Sequence, residues 1–186
     1  MNNQGILHIH AGFHKTGTSS IQDYLFHENL GNSHMYLHTG TANSSLLMLQ
    51  AFKHDFGNSP QYRKPKLSTQ KARKIQKHAR ARIIASLGQL NCPNVILSAE
   101  SIGTFRYEEH EDLRSFFSRH FASIKLYLYL RPNKSRIESA FQEVLKTRYR
   151  GLDQKFVLIF RRAIGNIDRV YGRTQVNLSR YCHEDF

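Results

Sequence analysis

The feature that most constrains this chain is a turn with two glycines, Gly12-Phe13-His14-Lys15-Thr16-Gly17-Thr18-Ser19. Before it stands an apolar, strand-like run, Ile6-Leu7-His8-Ile9-His10. After it comes a helix-like run, Ser20-Ile21-Gln22-Asp23-Tyr24-Leu25. A strand, a glycine turn and a helix in this order present backbone N–H groups at a helix N-terminus, where a phosphate or sulfate can be cradled. The spacing Gly12-x4-Gly17 is that of a nucleotide-binding P-loop, but Thr18 stands where an ATPase or kinase places its lysine. The lysine of this turn is Lys15, three positions earlier. An ordinary NTPase is therefore disfavoured.

Further along, Val95-Ile96-Leu97-Ser98 reads as a buried strand and Ile124-Lys125-Leu126-Tyr127-Leu128-Tyr129-Leu130 as the clearest strand of the chain. Gln175-Val176-Asn177-Leu178 reads as a last strand. Helical spacing is present around Leu46, Leu47, Leu49, Ala51 and Phe52, and again at Ala72, Ile75, Ala79, Ile83 and Leu87, where Ser68 is placed to cap. Further helices are expected over about residues 111–120, 134–148 and 156–171. Strands alternating with helices predict an α/β fold: a P-loop-type parallel β-sheet flanked by helices on both faces, a three-layer α/β/α arrangement. The length, 186 residues, suits a single domain over residues 1–186. In such sheets ligands gather at the carboxyl ends of the strands. The turn at residues 12–19, Glu100 and Arg131 each come directly after a predicted strand.

Charge narrows the partners. Lys and Arg number 27 against 14 Asp and Glu, a formal net charge of +13 that favours anionic ligands. Much of it lies on the predicted helix carrying Lys71, Arg73, Lys74, Lys77, Arg80 and Arg82. No C2H2 spacing, RNP-type aromatic motif or basic heptad is present, so specific nucleic-acid binding is not expected. The two cysteines, Cys92 and Cys182, match no metal or redox spacing and read as reduced thiols. No apolar run approaches the roughly 18 residues of a membrane span, and a cytoplasmic location is the expectation.

A second motif is Arg131-Pro132-Asn133-Lys134-Ser135-Arg136-Ile137-Glu138-Ser139. A guanidinium at a strand end and a hydroxyl eight residues later can together hold a phosphate through charge-assisted hydrogen bonds. With Phe13-His14-Lys15-Thr16-Gly17-Thr18-Ser19-Ser20, and with Leu128-Tyr129-Leu130-Arg131-Pro132 and Ser139, the chain resembles the sulfotransferases. The enzymes of this family use 3′-phosphoadenosine-5′-phosphosulfate (PAPS). The His-Lys-Thr-Gly-Thr version followed by Ser-Ile-Gln is closer to the bacterial and carbohydrate sulfotransferases than to the steroid and phenol enzymes.

The resemblance implies that Lys15, Thr16, Gly17, Thr18 and Ser19 form the loop for the 5′-phosphosulfate. Lys15 would neutralise charge on the bridging oxygen, and Arg131 and Ser139 would bind the 3′-phosphate. It implies PAPS as donor, no metal, and a hydroxyl (or amine) of a glycan or glycolipid-like acceptor. For the base it points to Glu100, since related enzymes place a histidine or glutamate near the transferred group; His14 is the competitor. Glu100 has a structural alternative, orienting Lys15 or Arg131 or capping the next segment. His8 and His10 read as buried, hydrogen-bonded histidines, and Tyr127 and Tyr129 as sheet packing. Ser98, Ser101 and Arg106 are left open between substrate and cofactor. Residues 31–66 and 101–112 are where an acceptor pocket is expected. Members of the family continue past the position of Phe186, so a domain shortened at its C-terminus is expected. The alternative function is a catalytically inactive or non-enzymatic polyanion-binding P-loop protein.

Overall fold

Alternation along three strands sorts one sheet into two unlike faces. A computed structural model describes residues 5–13, 18–58, 67–130 and 160–180. Its strands are β1 (Ile6–His10), β2 (His34–Tyr36), β3 (Asn94–Ser98), β4 (Ser123–Leu130) and β5 (Val176–Arg180). They form one sheet in the order β2-β3-β1-β4-β5, with every neighbouring pair parallel. Between them run the helices α1 (Thr18–His27), α2 (Ser45–Phe52), α3 (Thr69–Leu87), α4 (Tyr107–Phe117) and α5 (Phe160–Tyr171). Short 3-10 turns lie at Phe56–Asn58, Glu100–Thr104 and Arg173–Gln175. The result is the three-layer α/β/α arrangement expected from the sequence.

Register places Leu7 beside Val95 and Ile124, and Ile9 beside Leu97 and Leu126. These six are buried in one core with Phe52 of α2, Ile83 of α3, Leu113 and Phe117 of α4 and Ile167 of α5. Each such side chain contributes about 1.5–3 kcal/mol through its removal from water. The opposite phase is polar: His8 sits beside Ile96 and Lys125, and His10 beside Ser98 and Tyr127. On this second face Phe26 of α1 meets the ring of Tyr36 edge-on, with centroids 5.9 Å apart.

Two local outcomes differ from the sequence reading. β2 is only His34-Met35-Tyr36, too short for its alternation to register as a strand signal. α4 begins at Tyr107 instead of near residue 111, because the Glu109 carboxylate accepts the Arg106 backbone N–H at 2.8 Å and starts the helix one turn earlier. Ser68 caps α3 as expected, its hydroxyl oxygen accepting from the Lys71 N–H at 3.3 Å. The helix expected over residues 134–148 lies outside the described residues.

Candidate functional site at the carboxyl edge of the sheet

β1 is the central strand: the chain runs from it to β2 and β3 on one side, then crosses to β4 and β5 on the other. The crevice at the carboxyl ends of such strands is where an α/β sheet offers a ligand site. From His10 the chain enters the buried turn Ala11, Gly12, Phe13. A Cβ on Gly12 would collide with the Thr18 Cγ2 and stand 3.6 Å from the Glu100 Cγ. One on Gly103 would stand 2.6 Å from the Gly12 carbonyl oxygen. Both positions require glycine because of close approach, and together they bring the turn, the first residue of α1 and Glu100 to one place.

The Glu100 segment is held firmly. Ser44 donates its backbone N–H to the Ser98 carbonyl at 2.9 Å, tying the start of α2 to the end of β3. The Ser101 N–H donates to Ser45 Oγ at 3.1 Å, the Ser101 hydroxyl donates to the Ser45 carbonyl at 3.1 Å, and Thr104 donates to the Ser101 carbonyl at 2.8 Å. Ser101 is thus a structural residue of the turn. Arg106 is committed elsewhere, to Asp55 at 3.0 Å.

His10 is also here, one strand position from the turn and 5% exposed. Its Nδ1 lies 2.8 Å from the Ser98 Oγ, and its buried Nε2 has no hydrogen-bond partner among the described residues. Burial lowers its pKa to about 4, against the upward pull of the Glu100 charge, so the imidazole is neutral. The Tyr36 phenol donates to the Ala42 carbonyl. Its pKa is raised to about 12, chiefly by burial. His8 pairs with the Tyr127 hydroxyl at 2.9 Å, and the Tyr129 ring meets His10 edge-on with centroids 5.9 Å apart. His10 is buried and hydrogen-bonded as read from the sequence, whereas His8 is hydrogen-bonded but only half-buried; both tyrosines pack against these histidines on the sheet.

Among the expected site residues, Thr18 is buried at the start of α1, Ser19 is exposed beside it, and Glu100 opens the turn after β3. Lys15, Thr16, Gly17, Arg131 and Ser139 lie outside the described residues, as do His14 and Cys182. Leu130, which directly precedes Arg131, ends β4 at the same edge of the sheet. Sequence reasoning left Ser98 undecided and did not find its hydrogen bond with His10. The signal was a histidine as the last residue of a strand that precedes a glycine turn. Among the described residues no group of three His, Cys, Asp or Glu side chains is placed to hold a metal, and no helix is long and apolar enough to cross a membrane.

The basic helix α3 divides into two sides. Arg80 is engaged by Asp112, donates to the Ala51 carbonyl at 3.0 Å and lies over the Phe52 ring. Lys71, Lys74 and Lys77 instead line an open groove of about 620 Å³ with His78 and Arg82.

No protein-family model matches this sequence, and no curated protein matches it. Among solved structures, the fold is similar to that of a sulfotransferase from Alicyclobacillus acidocaldarius, at 12% identity and a TM-score of 0.54. The match covers 100% of this chain and 75% of that one. The fold is shared with a sulfotransferase.

Proposed function

We propose that this chain is a sulfotransferase that moves a sulfuryl group from PAPS to a hydroxyl, or an amine, of a carbohydrate or glycolipid-like acceptor. The observation that carries the reading is the convergence of Gly12, Thr18 and Glu100 at the carboxyl edge of the central strand, in a fold shared with a sulfotransferase. The residues present fit an anionic donor. Gly12 and Gly103 let the two turns pack closely against each other and against Thr18, and α1 opens next to them with N–H groups that have no partner inside the helix. In this reading Lys15, Thr16, Gly17, Thr18 and Ser19 hold the 5′-phosphosulfate, and Arg131 and Ser139 hold the 3′-phosphate. Lys15 neutralises the charge that develops on the bridging oxygen, and Glu100 takes the acceptor's proton. In-line transfer of this kind gains its rate from positioning and charge stabilisation.

The test is transfer of label from radioactive PAPS to a panel of polysaccharide and glycolipid acceptors. Wild-type protein is expected to transfer. Glu100→Gln is expected to lower transfer by about 10²–10⁴-fold while still binding the product 3′-phosphoadenosine-5′-phosphate, PAP. Transfer that survives this substitution would remove Glu100 as the base.

A second reading is favoured by the α3 groove, whose three lysines have no ion-pair partner among the described residues. A non-enzymatic protein that docks polyanions there would bind heparin with a steep salt dependence. Its binding would be indifferent to Lys15→Ala.

A further inference from the structure

β2 and β3 are parallel neighbours, so between them the chain must return from the carboxyl edge of the sheet to its amino edge. α3 makes that return. The Leu90 N–H donates to the Leu87 carbonyl at 3.2 Å, which folds the chain back at the end of α3, and Asn94 already opens β3. α3 therefore ends near the amino edge and directs its N-terminal half toward the carboxyl edge. Arg82 marks the level: its guanidinium donates at 3.1 Å to the carbonyl of Thr39, in the loop after β2. Lys71, Lys74 and Lys77 line the groove on the turns before Arg82. At about 1.5 Å per residue, the stretch from Arg82 to Lys71 runs about 16 Å outward from that edge.

The loop that Arg82 grips is bonded in turn to the segment of Glu100. The hydroxyls of Thr39 and Ser44 lie 2.7 Å apart, the Ser44 N–H donates to the Ser98 carbonyl at 2.9 Å, and the Ser101 N–H donates to Ser45 Oγ at 3.1 Å. Groove and Glu100 thus share one edge of the sheet and one hydrogen-bonded loop, residues 39–45.

Lys71, Lys74, Lys77 and Arg82 are exposed, and none is paired with an acid among the described residues. Ile75 and Ala79 lie among them in the groove. A row of cations over an apolar floor suits a linear ligand with repeating anionic groups and C–H faces between them, which is the chemistry of an acidic polysaccharide. A second copy of this chain does not fit, since 27 basic against 14 acidic residues make each copy cationic. Single-stranded nucleic acid is disfavoured, because no Phe, Tyr or Trp among the described residues lines the groove to stack a base.

We propose that the α3 groove is the acceptor subsite, and that the acceptor is a polysaccharide already carrying carboxylate or sulfate groups. Lys71, Lys74, Lys77 and Arg82 hold those groups while a hydroxyl of the same polymer reaches Glu100. This rests on the sulfotransferase reading and narrows its acceptor from carbohydrates at large to acidic ones.

The experiment uses the full chain. Affinities for dextran and for carboxymethyl dextran of equal length are measured without donor, and transfer from PAPS is followed over neutral and acidic polysaccharides. Wild type is expected to bind the charged polymer at least about tenfold more tightly than the neutral one, and to prefer acidic acceptors. Lys74→Glu is expected to weaken that binding, and to raise KM for an acidic acceptor, by about tenfold or more. PAP affinity should stay within about twofold. Arg73→Glu makes the same change of charge outside the groove and is expected to cost less than about threefold. Equal losses in the two variants overturn the proposal, as does transfer confined to neutral polysaccharides or tighter binding of oligothymidylate than of the charged polymer. Failure of wild-type protein to bind PAP overturns the sulfotransferase reading, and with it the acceptor role; binding of carboxymethyl dextran, read without donor, shows whether the groove assignment has failed as well.

Discussion

A Cβ on Gly103 would stand 2.6 Å from the carbonyl oxygen of Gly12, so the turn after β3 and the turn after β1 touch backbone to backbone. Gly103→Ala is expected to push them apart. Overpacking of this kind costs about 1–3 kcal/mol, and here it also displaces Glu100 from Gly12. Denaturant titration should show the loss, and PAP affinity should fall with it. Gly165 in α5 is the control, since a Cβ there meets nothing within 4 Å. Gly165→Ala is expected to stabilise by about 0.5–1 kcal/mol. If both substitutions behave alike, the close contact has been given too much weight.

Glu109 is fully buried, and its carboxylate accepts the Arg106 N–H at 2.8 Å and the His54 N–H at 3.1 Å. Glu109→Ala strands two backbone donors and should cost about 3 kcal/mol in urea unfolding. A cost below about 1 kcal/mol would mean that water replaces the carboxylate and that the start of α4 does not depend on it.

Stability should fall with acid between pH 6.5 and about 4. His110 is fully buried among Phe105 and Tyr171, with neither ring nitrogen partnered among the described residues, and burial lowers its pKa from 6.5 to about 4. The unfolded chain takes up the proton first. The contribution is thus complete above pH 6.5 and is lost as pH drops toward 4, by about 3 kcal/mol. His10 adds a second loss over the same window. His110→Leu is expected to flatten the slope of unfolding free energy against pH. An unaltered slope would show that His110 is not the group responsible.

On α3 the sequence displays one basic face, but the fold splits it. Arg80 lies over the Phe52 ring with its fork shared between Asp112 and the Ala51 carbonyl. Arg80→Lys loses that fork and is expected to cost about 1–2 kcal/mol. Lys74→Ala, on the groove side, should stay within about 0.5 kcal/mol. Chemical denaturation of the two variants checks the contrast.

Much of the fold was legible because period-2 and period-3.6 patterns are local. Leu7 and Ile9, Val95 and Leu97, and Ile124, Leu126 and Leu128 alternate along their strands, and each strand formed where its pattern stood. β2 was not legible, since a three-residue edge strand depends on its partner β3 for existence. The beginning of α4 turned on a carboxylate reaching back three residues, which helical periodicity does not reveal. Of the site, Glu100 could be placed from its position after a strand. The pairing of His10 with Ser98 joins residues 88 positions apart, and only the pairing of β1 with β3 brings them together.

The central claim is that the turn after β1 and the segment after β4 together recognise PAPS by its 3′-phosphate. Isothermal titration of the wild-type chain with PAP and with AMP tests it most directly. A 3′-phosphate held by Arg131 and Ser139 is worth about 1.5–3 kcal/mol, so PAP is expected to bind about 10–100-fold more tightly than AMP, and Arg131→Ala should erase the difference. Equal affinities for PAP and AMP in the wild-type protein would contradict the account.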